Sequence, residues 1–198
     1  MTSPAGPPGP EDPAGEGQAT LAVIDMQRVF GDRDSPWFTP RFGEIVGPIQ
    51  RLVDAYRPHV VFTRFVAPAV PHGAWRQYYE QWSFALQSPD APIYELASPF
   101  AAMAGPSVHA TTISKWGPEL TARAGGGPLV LAGVSTDCCV LSTALAAADA
   151  GATVRVVSDA CAGIDDESHA QALHIMSLYG PLVEVVTVAG VLAGARPA

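Results

Sequence analysis

The chain has 198 residues, 48% of them apolar and 15% charged, which is one domain's worth of sequence with enough apolar surface for a sizeable core. Nineteen acidic against 11 basic side chains give a formal charge of −8, which argues against a partner bound through phosphates or anionic lipid, so neither nucleic acid nor a membrane surface is expected. Three cysteines, two of them adjacent, form no disulfide framework and no paired zinc spacing, and no apolar run approaches the roughly 20 residues of a membrane-spanning helix, so a cytoplasmic location is expected.

In chain order, residues 1–18 come first, with five Pro, four Gly and three acidic side chains. They bury too little apolar surface to offset chain entropy and are expected to be a disordered tail. A single domain is expected over residues 19–190, followed by a frayed C-terminus at 191–198. Within the domain, short apolar runs alternate with helix-like segments, the pattern of a parallel sheet covered on both faces. Six strands are expected, at Thr20–Ile24, Val60–Thr63, Val108–Ile113, Leu129–Ala132, Thr153–Val157 and Leu182–Val188. Helices are expected at Phe42–Tyr56, Thr136–Ala150 and Asp166–Tyr179, where apolar residues recur at i, i+3 and i+4. The fold class is therefore α/β, three layers with a six-stranded, mainly parallel, Rossmann-like sheet. Ala67–Pro99 departs from the pattern, being rich in Pro and aromatic residues, and reads either as a satellite core or as a lid over a pocket.

Three places can carry chemistry. Asp25 ends the first strand, at the carboxyl edge where open α/β sheets bind ligands, although an acid there also caps turns. Leu131–Val140 runs from a strand through cap-forming residues into an Ala-rich helix. With Thr136 as N-cap, Cys138 and Cys139 fall in the first helical turn, where free N–H groups and the helix dipole favour a thiolate and can receive an oxyanion. Lys115, in Ile113-Ser-Lys-Trp-Gly, completes a set of nucleophile, carboxylate base and cation. Spacing alone does not choose between the two adjacent thiols. Cys161 reads as a small buried hydrophobe. No phosphate loop or dinucleotide fingerprint is present, and His169 and His174 are five apart, so they do not share a helix face as paired metal ligands do.

The order Asp25, Lys115, Cys139, with GVSTDCCVLST and the following ALAAADAGATVRVVSDACAG, resembles the isochorismatase-like cysteine hydrolases, the superfamily of nicotinamidases, N-carbamoylsarcosine amidase and streptothricin hydrolase relatives. The resemblance spans about Leu21 to Val188 and selects Cys139, directly before Val140, as the nucleophile. It implies a cis peptide between Val134 and Ser135, an oxyanion hole from the amides of Ser135 and Cys139, Asp25 as proton carrier and Lys115 as the stabilising cation. The metal-ligating Asp-x-His of nicotinamidases falls at Thr63-Arg64-Phe65-Val66-Ala67, which offers no ligand set, so no metal and no organic cofactor is expected. Ether-cleaving relatives can lack the cysteine, so its presence points to C–N cleavage of an amide, lactam or ureido group in a small molecule. A homodimer or homotetramer is implied. Trp37, Arg64, Phe65, Trp75 and Trp116 are the expected pocket residues. An isochorismatase-type ether hydrolase, a thiol redox protein and a non-catalytic binding module of the same fold are the competing readings.

Overall fold

The computed structural model describes residues 17–194. All of the expected N-terminal tail except Gly17 and Gln18 lies outside the described residues, as do 195–198. Six strands, β1 (Thr20–Ile24), β2 (Val60–Phe65), β3 (Val108–Ala110), β4 (Leu129–Val134), β5 (Val154–Ala162) and β6 (Val183–Val186), form one sheet in the order β3-β2-β1-β4-β5-β6. Every pairing is parallel. The eight helices are α1 (Arg28–Gly31), α2 (Phe42–Tyr56), α3 (Trp75–Gln81), α4 (Phe100–Met103), α5 (Pro118–Ala124), α6 (Leu141–Asp149), α7 (Asp166–Ser177) and α8 (Val188–Gly194).

The three layers follow from strand alternation, since successive side chains of a strand leave opposite faces. Leu21 and Val23 of β1 join Val130 and Ala132 of β4 in a core closed by α2, whose buried Phe42, Ile45, Ile49, Leu52 and Val53 repeat at helical spacing. Each such side chain, fully buried, stabilises by about 1.5–3 kcal/mol. Ala22 and Ile24 point the other way, into a core with Leu129, Leu131, Leu120 of α5 and the Ala-rich face of α6.

Strand lengths differ from the sequence reading at their ends. β5 runs to Ala162 and β4 to Val134, while β3 stops at Ala110. The C-terminus departs more: where fraying is expected from 191, α8 continues to Gly194. Thr187 accepts the Gly190 N–H at 3.1 Å and Asp159 accepts that of Val188 at 2.7 Å, so the orphan donors of the first turn are satisfied. Val188 and Val191 pack into the α2-side core. The Ala67–Pro99 segment holds α3 and two short 3₁₀ turns at Ser83–Ala85 and Pro92–Tyr94.

Chain direction across the sheet reverses at β1, which lies between β2 and β4. The carboxyl ends of β1 and β4 therefore open the crevice in which such folds bind ligands. Gly133 allows these strands to approach there: its φ is 122°, and a Cβ would stand 2.1 Å from the Ile24 carbonyl oxygen. Gly133→Ala is expected to cost about 3 kcal/mol or more of unfolding free energy. Gly151→Ala, also at positive φ but in open space, should cost about 1 kcal/mol. Urea titrations of both variants test this, and equal losses would contradict the close-approach account.

Candidate active site

Asp25 follows β1 directly and has φ 48°, the left-handed region that non-glycine residues seldom occupy outside tight turns and functional sites. Its side chain is fully buried. One carboxylate oxygen accepts from the Thr63 hydroxyl at 2.7 Å, and the Thr63 oxygen in turn accepts the Asp25 N–H at 3.2 Å. The other oxygen lies 3.0 Å from the Lys115 ammonium, and neither side chain of the pair is exposed to solvent. Lys115 also donates to the Thr112 carbonyl at 2.7 Å and sits 5.0 Å from the centre of the Phe65 ring. Its own N–H donates to Thr143 Oγ1 at 2.8 Å, which ties the loop after β3 to α6. Burial is the largest single effect and disfavours the ammonium, but the charge of Asp25, that of Cys139 and the contact with Asp25 together outweigh it and hold the lysine above its ordinary value.

The chain leaves β4 through a cis peptide between Val134 and Ser135, as the sequence resemblance implies. Ser135, one residue earlier than expected, is the N-cap, and the first turn is wide: Val140 N–H donates to the Ser135 carbonyl at 3.1 Å across five residues. Cys139 is thus the fourth residue of the helical run instead of the third. Ser135 and Cys139 both line a cleft at the start of this run. Two side chains of the turn fasten it to its neighbours. Thr136 Oγ1 lies 2.8 Å from His169 Nδ1, and Asp137 Oδ1 accepts the Ile164 N–H at 2.9 Å.

Cys138 is exposed and Cys139 buried, and the charges of both Asp25 and Lys115 act on the Cys139 thiol, whereas Asp137 acts on that of Cys138. Burial pushes the Cys139 thiol well up, Lys115 pulls it down by less, and Asp25 adds to the rise. The thiol is therefore held above its ordinary value, not below it as the sequence position suggests, because burial outweighs the lysine. Burial likewise raises the Cys138 thiol, followed by the effect of Asp137. Cys161 is buried in β5, with its thiol pushed up to about 12 by burial, and it lies apart from Asp25 and Lys115.

A cleft of about 210 Å³ opens over Cys139, lined by Ser135, Asp137, Cys138 and by apolar and aromatic side chains. Of the expected pocket residues, Trp37 and Phe65 line it. Arg64, Trp75 and Trp116 do not. Arg64 follows the strand pleat away from Phe65 and donates instead to the Tyr94 carbonyl at 2.8 Å, anchoring the aromatic segment. Trp75 packs on Tyr78 and Tyr79, and Trp116 against the α5 and α6 core. Tyr78 and Trp82, both within Ala67–Pro99, line the cleft, while Tyr79, Ala85 and Tyr94 from the same segment are buried. Both readings of that segment therefore hold. Sequence reasoning missed Phe30, Ile113 and Asp137 as lining residues, and also Gln27. The Gln27 amide donates to the Phe65 and Tyr94 carbonyls at 2.9 and 2.8 Å and accepts the Phe65 N–H at 2.8 Å, fixing the ring that covers Lys115.

Comparison with protein families finds that residues 19–189 match the isochorismatase domain model. The chain belongs to the isochorismatase family. Membership supports a hydrolase. A comparison with curated proteins finds no significant match. Among solved structures, a cysteine hydrolase from Pseudomonas syringae pv. phaseolicola 1448A is similar at 22% identity and TM-score 0.77, over 90% of this chain and 94% of that one. Nicotinamidase PncA from Bacillus subtilis is similar at 22% identity and TM-score 0.70, over 86% and 99%. Pyrazinamidase of Pyrococcus horikoshii, solved in complex with zinc, is similar at 24% identity and TM-score 0.68, over 86% and 99%. In this chain β2 ends in Thr63, Arg64 and Phe65, and no cluster of three His, Cys, Asp or Glu side chains suited to a metal exists among the described residues. Nor is any helix among them long and apolar enough to cross a membrane.

The opposed effects of Asp25 and Lys115 on the thiol make a prediction about reactivity. Asp25→Asn removes the negative charge and leaves Lys115 to stabilise the thiolate, so iodoacetamide should alkylate Cys139 at pH 7.5 faster than in the wild type, by about tenfold for each pKa unit lowered. Lys115→Met should slow it. Peptide mapping of the alkylated site measures both rates, and the reverse ranking would refute the assigned electrostatics.

Proposed function

We propose that the protein is a cysteine-dependent hydrolase that cleaves a C–N bond of a small amide-like molecule through a thioester acyl-enzyme. The observation that carries this reading is the buried thiol of Cys139 held within the charges of Asp25 and Lys115, which are themselves ion-paired at 3.0 Å with no solvent exposure. A nucleophile, a base and a cation that holds the base in register meet at one point in the cleft floor. Two of the structural relatives carry the names of amide hydrolases, which supports amide cleavage here.

In the reaction, Asp25 takes the proton of Cys139 as the sulfur attacks the substrate carbonyl carbon, and the C=O electron pair moves onto oxygen. The N–H groups of Ser135 and Cys139, two residues that line the cleft, are the donors for that oxyanion. When the carbonyl re-forms, the C–N bond breaks and the proton held on Asp25 goes to the leaving nitrogen, releasing ammonia or an amine. Water then attacks the thioester with Asp25 as base, the C–S bond breaks, and the thiolate regains the proton from Asp25 as the acid departs. Lys115 holds the carboxylate in register through the 3.0 Å ion pair and stabilises the thiolate while it exists. Thr63 and Gln27 position the carboxylate and the Phe65 ring without touching the reacting atoms. The cysteine favours C–N cleavage over cleavage of an enol ether, which needs no acyl-enzyme.

The test is ammonia or amine release from a panel of primary amides, carbamoyl amines, ureido acids and lactams. Cys139→Ala should reduce release by about 10³-fold or more, the scale seen when a covalent nucleophile is removed, while Cys138→Ala retains it. Release that survives in Cys139→Ala would overturn the mechanism. Peroxide consumption persisting in Asp25→Asn would instead favour thiol redox chemistry.

A further inference from the structure

The walls of the cleft are more specific than its floor. Phe30, Trp37, Phe65, Tyr78 and Trp82 surround it, and the one charged lining group among the described residues is Asp137. Trp37 is the hub: its ring lies 6.0 Å from that of Tyr78 at 46°, 6.0 Å from Trp82 at 63° and 5.7 Å from Phe65 at 71°. Phe30 stacks on Trp37 at 6.0 Å and 11°, while the inclined rings of Phe65, Tyr78 and Trp82 form sides around it, and Trp37, Tyr78 and Trp82 all remain partly exposed. The electron-rich faces of such rings attract cations.

Among the described residues no Lys or Arg lines the cleft. Lys115 is bound to Asp25 below the cleft, Arg64 is turned to the Tyr94 carbonyl, and Arg41 pairs with Glu44 and Asp166. A carboxylate entering the box would lose its water and gain no ion partner, next to the Asp137 carboxylate and within a chain of formal charge −8. A positive group meets the opposite: aromatic faces, one carboxylate and a favourable long-range field.

We propose that this box is a site for an organic cation, so that the substrate is an amide whose distal group is positively charged, and amides ending in a carboxylate are rejected. The chemistry of this substrate class rests on the amidase reading above; the cation site does not depend on it.

Two measurements separate the two claims. Choline, its uncharged isostere 3,3-dimethylbutan-1-ol and the anionic 3,3-dimethylbutanoate are titrated against intrinsic tryptophan fluorescence of the full chain at fixed ionic strength. Choline should bind about tenfold tighter than the alcohol, the scale of a desolvated cation–π contact, and the acid weakest. Asp137→Asn, which keeps an oxygen for the Ile164 N–H, and Trp82→Ala should each shrink the gap between choline and the alcohol. Equal affinity for the two isosteres, or tightest binding of the acid, overturns the cation site. Separately, ammonia release is compared for 4-(trimethylammonio)butanamide, 5,5-dimethylhexanamide and glutaramate. A kcat/KM order of cation, neutral, anion supports the substrate class, while equal turnover of the first two overturns it and leaves the amidase reading standing. Selective choline binding with no release from any amide in either panel tells against the amidase reading and leaves the cation site standing.

Discussion

The ion pair of Asp25 and Lys115 is the constraint around which the rest of the site is arranged. Two opposite charges at 3.0 Å with no solvent exposure attract by about 5 kcal/mol at an effective dielectric near 20. Desolvating each ion costs several kcal/mol, so the pair alone does not hold itself in place. The surrounding hydrogen bonds close that deficit. Thr63 donates to the carboxylate, the Thr112 carbonyl and the Phe65 ring face the ammonium, and Thr143 holds the Lys115 backbone. In turn the pair sets the state of Cys139. Asp25 opposes the thiolate and Lys115 favours it, and burial decides in favour of the thiol.

The scaffold delivers these groups from four separate stretches of chain. Asp25 ends β1, Thr63 lies in β2, Lys115 follows β3 and Cys139 follows β4. All of these strands are parallel, so their carboxyl ends lie on one edge. Gly133 lets β4 close on β1, and Gln27 ties the end of β2 to the aromatic segment that forms one wall of the cleft. The same segment supplies core packing through Tyr79 and Tyr94 and lining through Tyr78 and Trp82. One insertion thus both covers the sheet edge and shapes the cleft.

Much of this was legible in the sequence. Short apolar runs gave the six strands, because strands buried on both faces need no polar alternation, and the order of acid, lysine and thiol pointed to the residues that the fold brings together. What stayed hidden depends on contacts distant in sequence. Thr63 and Phe65 meet Asp25 and Gln27 across 38 positions, and nothing local in Thr63-Arg64-Phe65 announces that partnership. Arg64 and Phe65 could not both face the cleft, since adjacent strand residues point to opposite sides, a rule available from the sequence that pocket assignment by residue type overlooked. The direction of the Cys139 shift was not readable either: helix position argues for a thiolate, and only the tertiary structure shows how completely the sulfur is buried. At the C-terminus, small residues suggested fraying, but Thr187 and Asp159 cap α8 and two valines pin it.

The claim at the centre of this account is that Cys139 sulfur carries the acyl group. The most direct measurement is acid-quenched mass spectrometry of the enzyme during turnover of a slowly released amide from the active panel, followed by peptide mapping. The account predicts a mass increase equal to the acyl fragment, located on Cys139 and absent from Cys138 and Cys161, which disappears as the substrate is exhausted. Turnover with the chain unmodified throughout, or with the acyl group on Cys138, would contradict it.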